Sequence, residues 1–466
     1  MPRAKRPQTV GALRKANYEV LPVREELRKN LIAKIRSKEV IFPGIVGFEQ
    51  TGIPQLENAI LAGQDIILLG ERGQAKSRII RSLTNLLDDA IPKISECEIN
   101  DNPYDPICQV CRDKVSEFGD KTPLEWISRD ERYSEKLATP DISIADLIGE
   151  IDPIKVAEGH YLSDELVIHY GLVPRTNRGI FCINELPDLA ERIQVGLFNL
   201  MEERDVQIKG YRVRLPLDVF VVSTANPEDY TNRGRIVTPL KDRYGSQIHT
   251  HYPLDARDEI VIMAQERTKF PEEDKLLIPE YMKEVLAEVT TQARLSSDIN
   301  QRSGVSVRVS IANYETMLGN AVRRAIRNGE EWACPRVSDL TYIVASFAGK
   351  IELETFEEGR ESRLTEDLTR RAVLRIFGSY FEVDELEPVV TAFDLGNQAV
   401  TGSEKPAADY PGLVANIDGL APAVKKLTDD DRPEAVAAAV EFVLEGLHLS
   451  RKLNCDRFGE GSTYKR

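Results

Sequence analysis

Several residues in the sequence are of types that bind phosphate or a metal ion, and the clearest group lies within residues 65–78. The apolar run Ile66–Leu69 is followed by a glycine-rich segment and then by Lys76 and Ser77. Backbone N–H groups in such a loop can surround a phosphate, and the positive end of a following helix favours its charge. Lys76 offers an ammonium group to the β- and γ-phosphates of a nucleotide, and Ser77 offers a hydroxyl ligand for Mg²⁺.

The order of strand, glycine loop, Lys-Ser and helix predicts a P-loop. Its residues are Gly70, Glu71, Arg72, Gly73, Gln74, Ala75, Lys76, Ser77 and Arg78. Ala75 departs from the pattern because it stands where a second glycine is usual, but a methyl group adds little bulk. The alternative for this stretch alone is a glycine turn before an ordinary surface helix.

Two further apolar runs end in polar residues. Residues 179–183 lead into Asn184 and Glu185, and residues 219–225 lead into Asn226. The carboxyl ends of parallel strands meet at one edge of an open α/β sheet, so we expect these side chains beside the P-loop. Glu185 is the candidate base that polarises the attacking water, and Asn226 could hold that water or the γ-phosphate. Asn184 replaces an expected aspartate, and we expect it to contact the waters of Mg²⁺ without charge assistance.

Three cysteines lie in an insertion that we place at residues 91–133. Cys108 and Cys111 have the C-x₂-C spacing of a zinc knuckle, and Cys97 precedes them. Three thiolates could hold Zn²⁺, but a closed structural site needs four ligands and no fourth is evident nearby. Free surface cysteines are the alternative.

Composition narrows the classes of function. The 466 residues allow about three domains. The 61 basic and 76 acidic residues give a net charge of −15, which disfavours nucleic-acid binding as the main activity. No run approaches the ~18 apolar residues of a membrane helix, and the basic N-terminal segment lacks the apolar core of a signal peptide. Six cysteines are too few for a disulfide scaffold in so long a chain, so we expect a cytoplasmic protein without a membrane partner.

Periodicity suggests how the chain is divided. We expect a helical arm at residues 1–40, a nucleotide-binding core at 41–255, a helical lid at 256–356 and a helical extension at 357–466. The predicted helices include 189–203, 257–270, 279–295, 310–327, 337–356, 364–377 and 433–453, with a linker at 401–412. Alternating patterns predict hairpins at 157–173 and 206–215.

The motifs in this order resemble AAA+ ATPases of the helix-2-insert clade, specifically the I subunit of magnesium chelatase and MoxR-like ATPases. Besides the P-loop, the resemblance rests on Ile45-Val46-Gly47 and on segments 183–189, 225–229 and 241–245, and it covers residues 42–356. It implies an α/β P-loop NTPase (AAA+) core with a parallel sheet, an all-α lid and a C-terminal helical extension. An apolar tip such as Ile45 and Val46 commonly packs against adenine, although both residues could be ordinary core.

The resemblance also assigns roles that residue types alone do not. Arg243 would be an arginine finger that reaches a neighbouring subunit's γ-phosphate. Arg308 would be the second sensor, with Arg302 the less favoured choice. The hairpin at 157–173 would be the helix-2 insert, and the hairpin at 206–215 would precede the first sensor.

What the family implies is an ATP- and Mg²⁺-dependent ring, usually of six subunits, that remodels or activates a partner complex, for instance during metal-cofactor insertion. The partner would carry a von Willebrand A domain. A second hypothesis is a nucleotide-binding assembly scaffold with little hydrolysis, which Asn184 motivates. A third, ranked last, is a transcriptional activator ATPase, because the acidic chain shows no helix-turn-helix.

Overall fold

The structure is a computed structural model that describes residues 6–152, 154, 157, 165–207, 214–226, 235–300, 304–354, 359–459 and 461–466. The chain forms two compact units, with the boundary between His251 and Tyr252. Each unit has its own hydrophobic core and is described separately. Within the described ranges, no helix has the length and apolar character needed to cross a lipid bilayer.

The first unit is built on a parallel sheet. Its strands are β1 (Ile66–Leu69), β2 (Ala90–Ile94), β3 (Leu124–Ser128), β4 (Tyr133–Leu137), β5 (Gly149–Ile151), β6 (Ile168–Tyr170), β7 (Gly179–Asn184), β8 (Asp205–Gln207), β9 (Arg214–Pro216), β10 (Val219–Ala225) and β11 (Ser246–His249). Five of them form the central sheet in the order β11-β1-β10-β7-β4, with all pairs parallel. The predicted α/β core with a parallel sheet is therefore confirmed.

Helices surround this sheet. They are α1 (Val10–Lys15), α2 (Val23–Ser37), α3 (Gly52–Leu61), α4 (Lys76–Ser82), α5 (Gln109–Phe118), α6 (Ile144–Leu147), α7 (Leu172–Arg175), α8 (Glu191–Gly196), α9 (Phe198–Glu202) and α10 (Thr238–Arg243). Successive residues of each central strand face two different cores: Ile66 and Leu68 lie in one, and Ile67 and Leu69 in the other. A parallel sheet covered on both faces favours apolar residues at every position, which explains why β1, β7 and β10, inside the sheet, read as unbroken apolar runs.

Some details of the first unit differ from the predictions. The helix expected at 189–203 is two helices, α8 and α9, that meet at Leu197. The insertion consists of the antiparallel pair β2–β3 with α5 between them. The two expected hairpins are seen at their bases, as β5 with β6 and β8 with β9, while most of the residues between these strands lie outside the described ranges.

The second unit is mainly helical. Its helices are α11 (Ala256–Glu266), α12 (Glu280–Leu295), α13 (Val307–Asn328), α14 (Val344–Ala348), α15 (Arg360–Tyr380), α16 (Glu387–Asp394), α17 (Tyr410–Asn416), α18 (Leu420–Leu427) and α19 (Pro433–Leu449). A single cluster of buried side chains runs from Met263 to Tyr464. The segments that we assigned to a lid and to an extension therefore share one core.

Two expectations for the second unit were wrong, and one sheet was not expected. The helix predicted at 337–356 is mostly a 3-10 helix, Val337–Ile343, followed by the short α14. The predicted linker at 401–412 is ordered structure, because Tyr410 is buried and its hydroxyl donates to Glu441 Oε1 at 2.6 Å. An antiparallel sheet of β12 (Ala399–Gly402), β14 (Gly461–Lys465) and β13 (Asn454–Phe458) was not predicted.

Candidate nucleotide-binding site

The P-loop connects the end of β1 to the start of α4. Gly73 and Ala75 have φ angles of 76° and 57°, so both lie in the left-handed region. A Cβ atom at Gly70 would lie 1.9 Å from Thr250 Oγ1 and 2.2 Å from Gln74 Oε1, so a larger residue would displace both side chains. Ala75 holds a conformation that costs a residue with a Cβ atom roughly 1 kcal/mol. Alanine at position 75 therefore differs from the usual glycine in two ways: it adds a methyl group, and it disfavours the backbone conformation that the loop needs.

Lys76 lies at the centre of this loop. Its side chain is buried, and Nζ donates to the carbonyl oxygen of Glu71 at 2.8 Å as well as to that of Gly70. Nζ also donates to Oδ1 of Asn226 at the end of β10. Because a buried ammonium group needs acceptors, these contacts hold it where a nucleotide phosphate would lie in a P-loop.

Glu185 extends this group of contacts to the end of β7. Asn226 Nδ2 donates to Glu185 Oε2 at 2.7 Å. Glu185 itself has a left-handed backbone, with φ 56° and ψ 48°, and its N–H donates to Thr224 Oγ1 at 3.0 Å. Non-glycine residues in this region cluster at functional sites, where the surrounding contacts hold the strain. The structure thus brings Lys76, Asn226 and Glu185 together from three neighbouring strands.

Asn184 lies beside these residues but faces another strand. Its side chain is buried, and Nδ2 donates to a carboxylate oxygen of Glu135 on β4. Its Oδ1 accepts from Thr224 Oγ1 at 3.3 Å. Both polar atoms of Asn184 thus have partners within the protein. Its expected contact with the waters of Mg²⁺ stays a prediction.

Glu135 is a charged neighbour that the sequence did not reveal. Its carboxylate accepts from Arg81 Nε at 2.8 Å and from the Tyr133 hydroxyl at 2.9 Å. Burial raises the pKa of Glu135. Hydrogen bonds from Arg81, Tyr133 and Asn184 together lower it by more than burial raises it, so the pKa of this carboxyl is below its usual value. Glu135 is therefore a carboxylate at neutral pH. No motif marks it, since it stands within β4 and reaches Asn184 only through strand pairing.

The other predicted contacts of the nucleotide occupy varied environments. Ser77, Arg72 and Arg78 are all exposed, and the role of Ser77 as a ligand of Mg²⁺ stays a prediction. Gln74 is buried, and its Oε1 accepts from the Thr250 hydroxyl at 2.8 Å and from the N–H of Glu71 at 3.0 Å, which closes the loop. Ile45 lies in the core while Val46 is half-buried, and their contact with adenine stays a prediction.

Arg243 lies at the end of α10 on the surface of the first unit. Its guanidinium forms an ion pair with Glu202 and lies 4.7 Å from the ring centre of Phe198. Its Nη1 also donates to the Pro239 carbonyl at 2.7 Å. These contacts fix the side chain within its own subunit, whereas a role as a finger would require it to face a neighbour.

Of the two candidates for the second sensor, only Arg308 is described. It is exposed in the first turn of α13 in the second unit, and its N–H donates to Ser306 Oγ at 3.1 Å. Arg302 lies outside the described residues.

The cysteines of the insertion are buried, so the alternative of surface thiols was wrong. Cys97, Cys108 and Cys111 lie together with the buried carboxylate of Asp101, and one candidate ligand atom from each lies within 4.8 Å of all the others. The expectation that no fourth ligand stood nearby was therefore also wrong. The fourth candidate ligand is Asp101, four residues after Cys97, which the spacing of the cysteines alone does not mark.

Comparison with known proteins gives matches over about half of the chain. The magnesium-chelatase subunit ChlI of Nostoc sp. is 28% identical over 268 residues, which are 54% of this chain and 65% of that protein. A ChlI homolog of Methanocaldococcus jannaschii is 26% identical over 241 residues, 50% of this chain and 60% of that protein. The chain is similar to magnesium-chelatase I subunits. This chain spans less than two thirds of the length of either of these proteins. No protein-family model matches the chain.

A solved structure also aligns with the chain. It is the complex of the magnesium-chelatase subunits BchI and BchD, based on a single-particle cryo-EM reconstruction, with 18% identity over 70% of this chain and 98% of that chain. Its TM-score of 0.35 is too low to support an argument. The fold therefore rests on the strand order and the parallel pairing described above.

Proposed function

We propose that this chain is an ATP-hydrolysing motor of the AAA+ type, similar to a chelatase I subunit. The observation that carries the proposal is the hydrogen-bonded series Lys76–Asn226–Glu185, which joins the P-loop to the ends of β7 and β10. Phosphoryl transfer depends on positioning and on electrostatic stabilisation, and these three residues have the required chemistry. Lys76 would meet the β- and γ-phosphates, and Asn226 would orient the attacking water. Glu185 would accept a proton from that water.

The residues present fit a nucleotide with Mg²⁺. Lys76 Nζ is held by carbonyl and amide oxygens, which a phosphate can replace as acceptors. Ser77 is exposed beside it and would be the direct protein ligand of the metal. When bound, Mg²⁺ would neutralise charge on the phosphate oxygens. Glu185 accepts from Asn226, so its carboxylate is already held beside the residues that would meet the phosphates.

We further propose that the motor works as a homo-oligomeric ring, usually of six subunits in such ATPases, that acts on a partner with a von Willebrand A domain. The similarity to chelatase I subunits supports this proposal. Arg243 pairs with Glu202 in its own subunit and would have to leave that contact to face a neighbour. In a ring, this residue would stabilise charge on the nucleotide of the adjacent subunit.

The Glu185→Gln variant tests hydrolysis. The amide keeps the shape and the acceptor for Asn226 but cannot take a proton, so ATP binding should persist while turnover falls at least about 100-fold. Glu203→Gln, which changes an exposed glutamate just after α9, is the matched control and should retain activity. If Glu185→Gln hydrolyses ATP like the unmodified protein, the assigned base is wrong.

A nucleotide-binding scaffold with little hydrolysis is the second candidate function. The observation that favours it is Asn184, a neutral residue whose polar atoms are engaged by Glu135 and Thr224. The steady-state rate of ATP hydrolysis, measured with millimolar excess of Mg²⁺ in the presence of the partner, separates the two. A measurable rate supports the motor, and its absence supports the scaffold.

A further inference from the structure

We propose that Cys97, Asp101, Cys108 and Cys111 bind one structural Zn²⁺ ion. The four residues come from the loop between β2 and α5 and from the start of α5. The three Sγ atoms and a carboxylate oxygen lie within 4.8 Å of one another. A tetrahedral ion with Zn–S bonds of about 2.3 Å places its sulfur ligands about 3.8 Å apart, so only a small contraction is needed.

Asp101 distinguishes this group from an ordinary cluster of buried thiols. Buried cysteines alone pack as small apolar residues and need no metal. The Asp101 side chain, however, has no exposed surface, and only its Oδ2 has a partner, the N–H of Cys108 at 3.0 Å. Its Oδ1 is buried without a hydrogen-bond partner among the described residues. A buried carboxylate oxygen in an apolar region is unfavourable unless a donor or a cation lies beside it.

The backbone around the cluster is arranged to receive thiolates. The N–H of Asp101 donates to Cys97 Sγ at 3.3 Å, and the N–H of Cys111 donates to Cys108 Sγ at 3.4 Å. The buried Arg178 adds positive charge, since its Nη1 donates to the Asp101 carbonyl at 3.3 Å. Three thiolates and one carboxylate around a divalent cation leave a net charge of −2, which these donors partly offset.

Four protein ligands leave no open position, so the ion would be structural rather than catalytic. It would join two segments of the insertion that each contact the rest of the first unit. The N–H of Gln109 donates to Glu165 just before β6 at 2.9 Å, and Asn177 Nδ2 donates to the Ile99 carbonyl at 3.1 Å. Zn²⁺ would therefore fix the insertion against the part of the chain that runs from Glu165 to Asn177.

Metal content of the purified full-length chain tests the proposal. Elemental analysis of protein prepared without chelator should find about one zinc per chain. The variants Cys108→Ser and Asp101→Ala should each lose most of it, since both remove a ligand. Cys455→Ser is the matched control, because Cys455 is a half-buried cysteine of β13 in the second unit, and its zinc content should be unchanged.

A second measurement uses the unmodified protein and does not depend on whether the variants fold. Titration of the thiols with a mercurial reagent should release zinc in step with modification of three cysteines. Removal of zinc by a chelator should increase hydrogen exchange in residues 95–112. The proposal is overturned if the chain neither contains zinc nor takes it up on equilibration with Zn²⁺, if the site holds iron instead, or if mass spectrometry finds these cysteines in a disulfide.

Discussion

The contact between Asn184 and Glu135 makes a sharp prediction about charge at the end of β7. The variant Asn184→Asp restores the aspartate that the motif leads one to expect, but it places a second carboxylate directly against Glu135. The amide donor that now satisfies Glu135 would be lost. The sequence alone predicts only that this substitution improves Mg²⁺ retention, about tenfold for a gain of 1.4 kcal/mol. The structure predicts that the single variant is destabilised.

The expected loss of unfolding free energy in Asn184→Asp follows from two contributions, a lost hydrogen bond and a new charge repulsion. A hydrogen bond to a charged acceptor contributes about 1.5–3 kcal/mol, and two unit charges about 4 Å apart repel by about 4 kcal/mol at an effective dielectric constant of 20. The new carboxyl can limit this cost by staying protonated, at about 1.36 kcal/mol for each pH unit above its unfolded pKa. We expect a loss of about 3–4 kcal/mol of unfolding free energy at pH 7.

The sign of the pH dependence follows from the same contact. The folded-state pKa of the new carboxyl is raised by the Glu135 carboxylate, so the folded variant binds more protons than the unfolded one. The loss of stability should be small near pH 4, the region of the unfolded pKa, and should grow as pH rises to 7.

A double variant provides the matched control. Adding Glu135→Gln to Asn184→Asp moves the negative charge from β4 to β7 and restores an amide–carboxylate hydrogen bond. The lost ion pair with Arg81 costs at most about 1 kcal/mol, because the Arg81 side chain is 64% exposed. The double variant should therefore unfold near the unmodified protein. It should also reach half of its maximal ATPase rate at lower free Mg²⁺ if position 184 lies near the metal.

Urea unfolding measures the stability change. The chain has two tryptophans, and a Trp332→Phe background leaves Trp126 of the first unit as the only tryptophan. Its fluorescence should show a lower midpoint for Asn184→Asp at pH 7 and recovery in the double variant. Equal midpoints for the single variant and the unmodified protein would refute the placement of Asn184 beside Glu135.

The remaining predictions concern three other sites. Arg243→Ala should bind ATP normally but hydrolyse it roughly 10³-fold more slowly, and mixing it with Lys76→Ala subunits should restore some activity. If rings that contain both variants remain inactive, Arg243 does not act on the nucleotide of a neighbouring subunit. Ala75→Gly should leave thermal stability unchanged or raise it by up to about 1 kcal/mol, because it relieves a left-handed alanine, and a clear decrease in calorimetry would contradict that. Arg324→Met should destabilise the second unit by about 3 kcal/mol in urea unfolding, since it leaves the buried Asp339 carboxylate without its guanidinium partner, while Glu330 keeps Arg336. A loss below about 1 kcal/mol would contradict this expectation.

Strands β1, β7 and β10 and the polar residues at their ends could be predicted from the sequence because a buried parallel strand has a strong signal. Each is an unbroken apolar run, and the residue that follows it is fixed at the edge of the sheet. Lys76, Glu185 and Asn226 could therefore be grouped without a structure. Their contacts required only that β1, β10 and β7 be neighbours.

Residues placed by strand pairing or by loop geometry could not be found in this way. Glu135 reaches Asn184 because β4 pairs with β7, and no local pattern specifies that pairing. Asp101 joins the cysteines through a turn in which Asn100 has a φ angle of 54°. The sheet of the second unit was missed because β13 and β14 are largely polar, so they lack the apolar alternation of a half-buried strand.

Nucleotide binding by Lys76→Ala tests the central claim most directly. Removing the ammonium group that meets the β- and γ-phosphates should weaken binding of a fluorescent ATP analogue by about 3 kcal/mol, or roughly 100-fold. Lys34→Ala is the matched control, since Lys34 lies on α2 in a surface ion pair with Glu39, and its affinity should be unchanged. We therefore expect a selective loss of affinity in Lys76→Ala. Equal affinity of Lys76→Ala and the unmodified protein would contradict the assignment of residues 70–78 as a phosphate-binding loop.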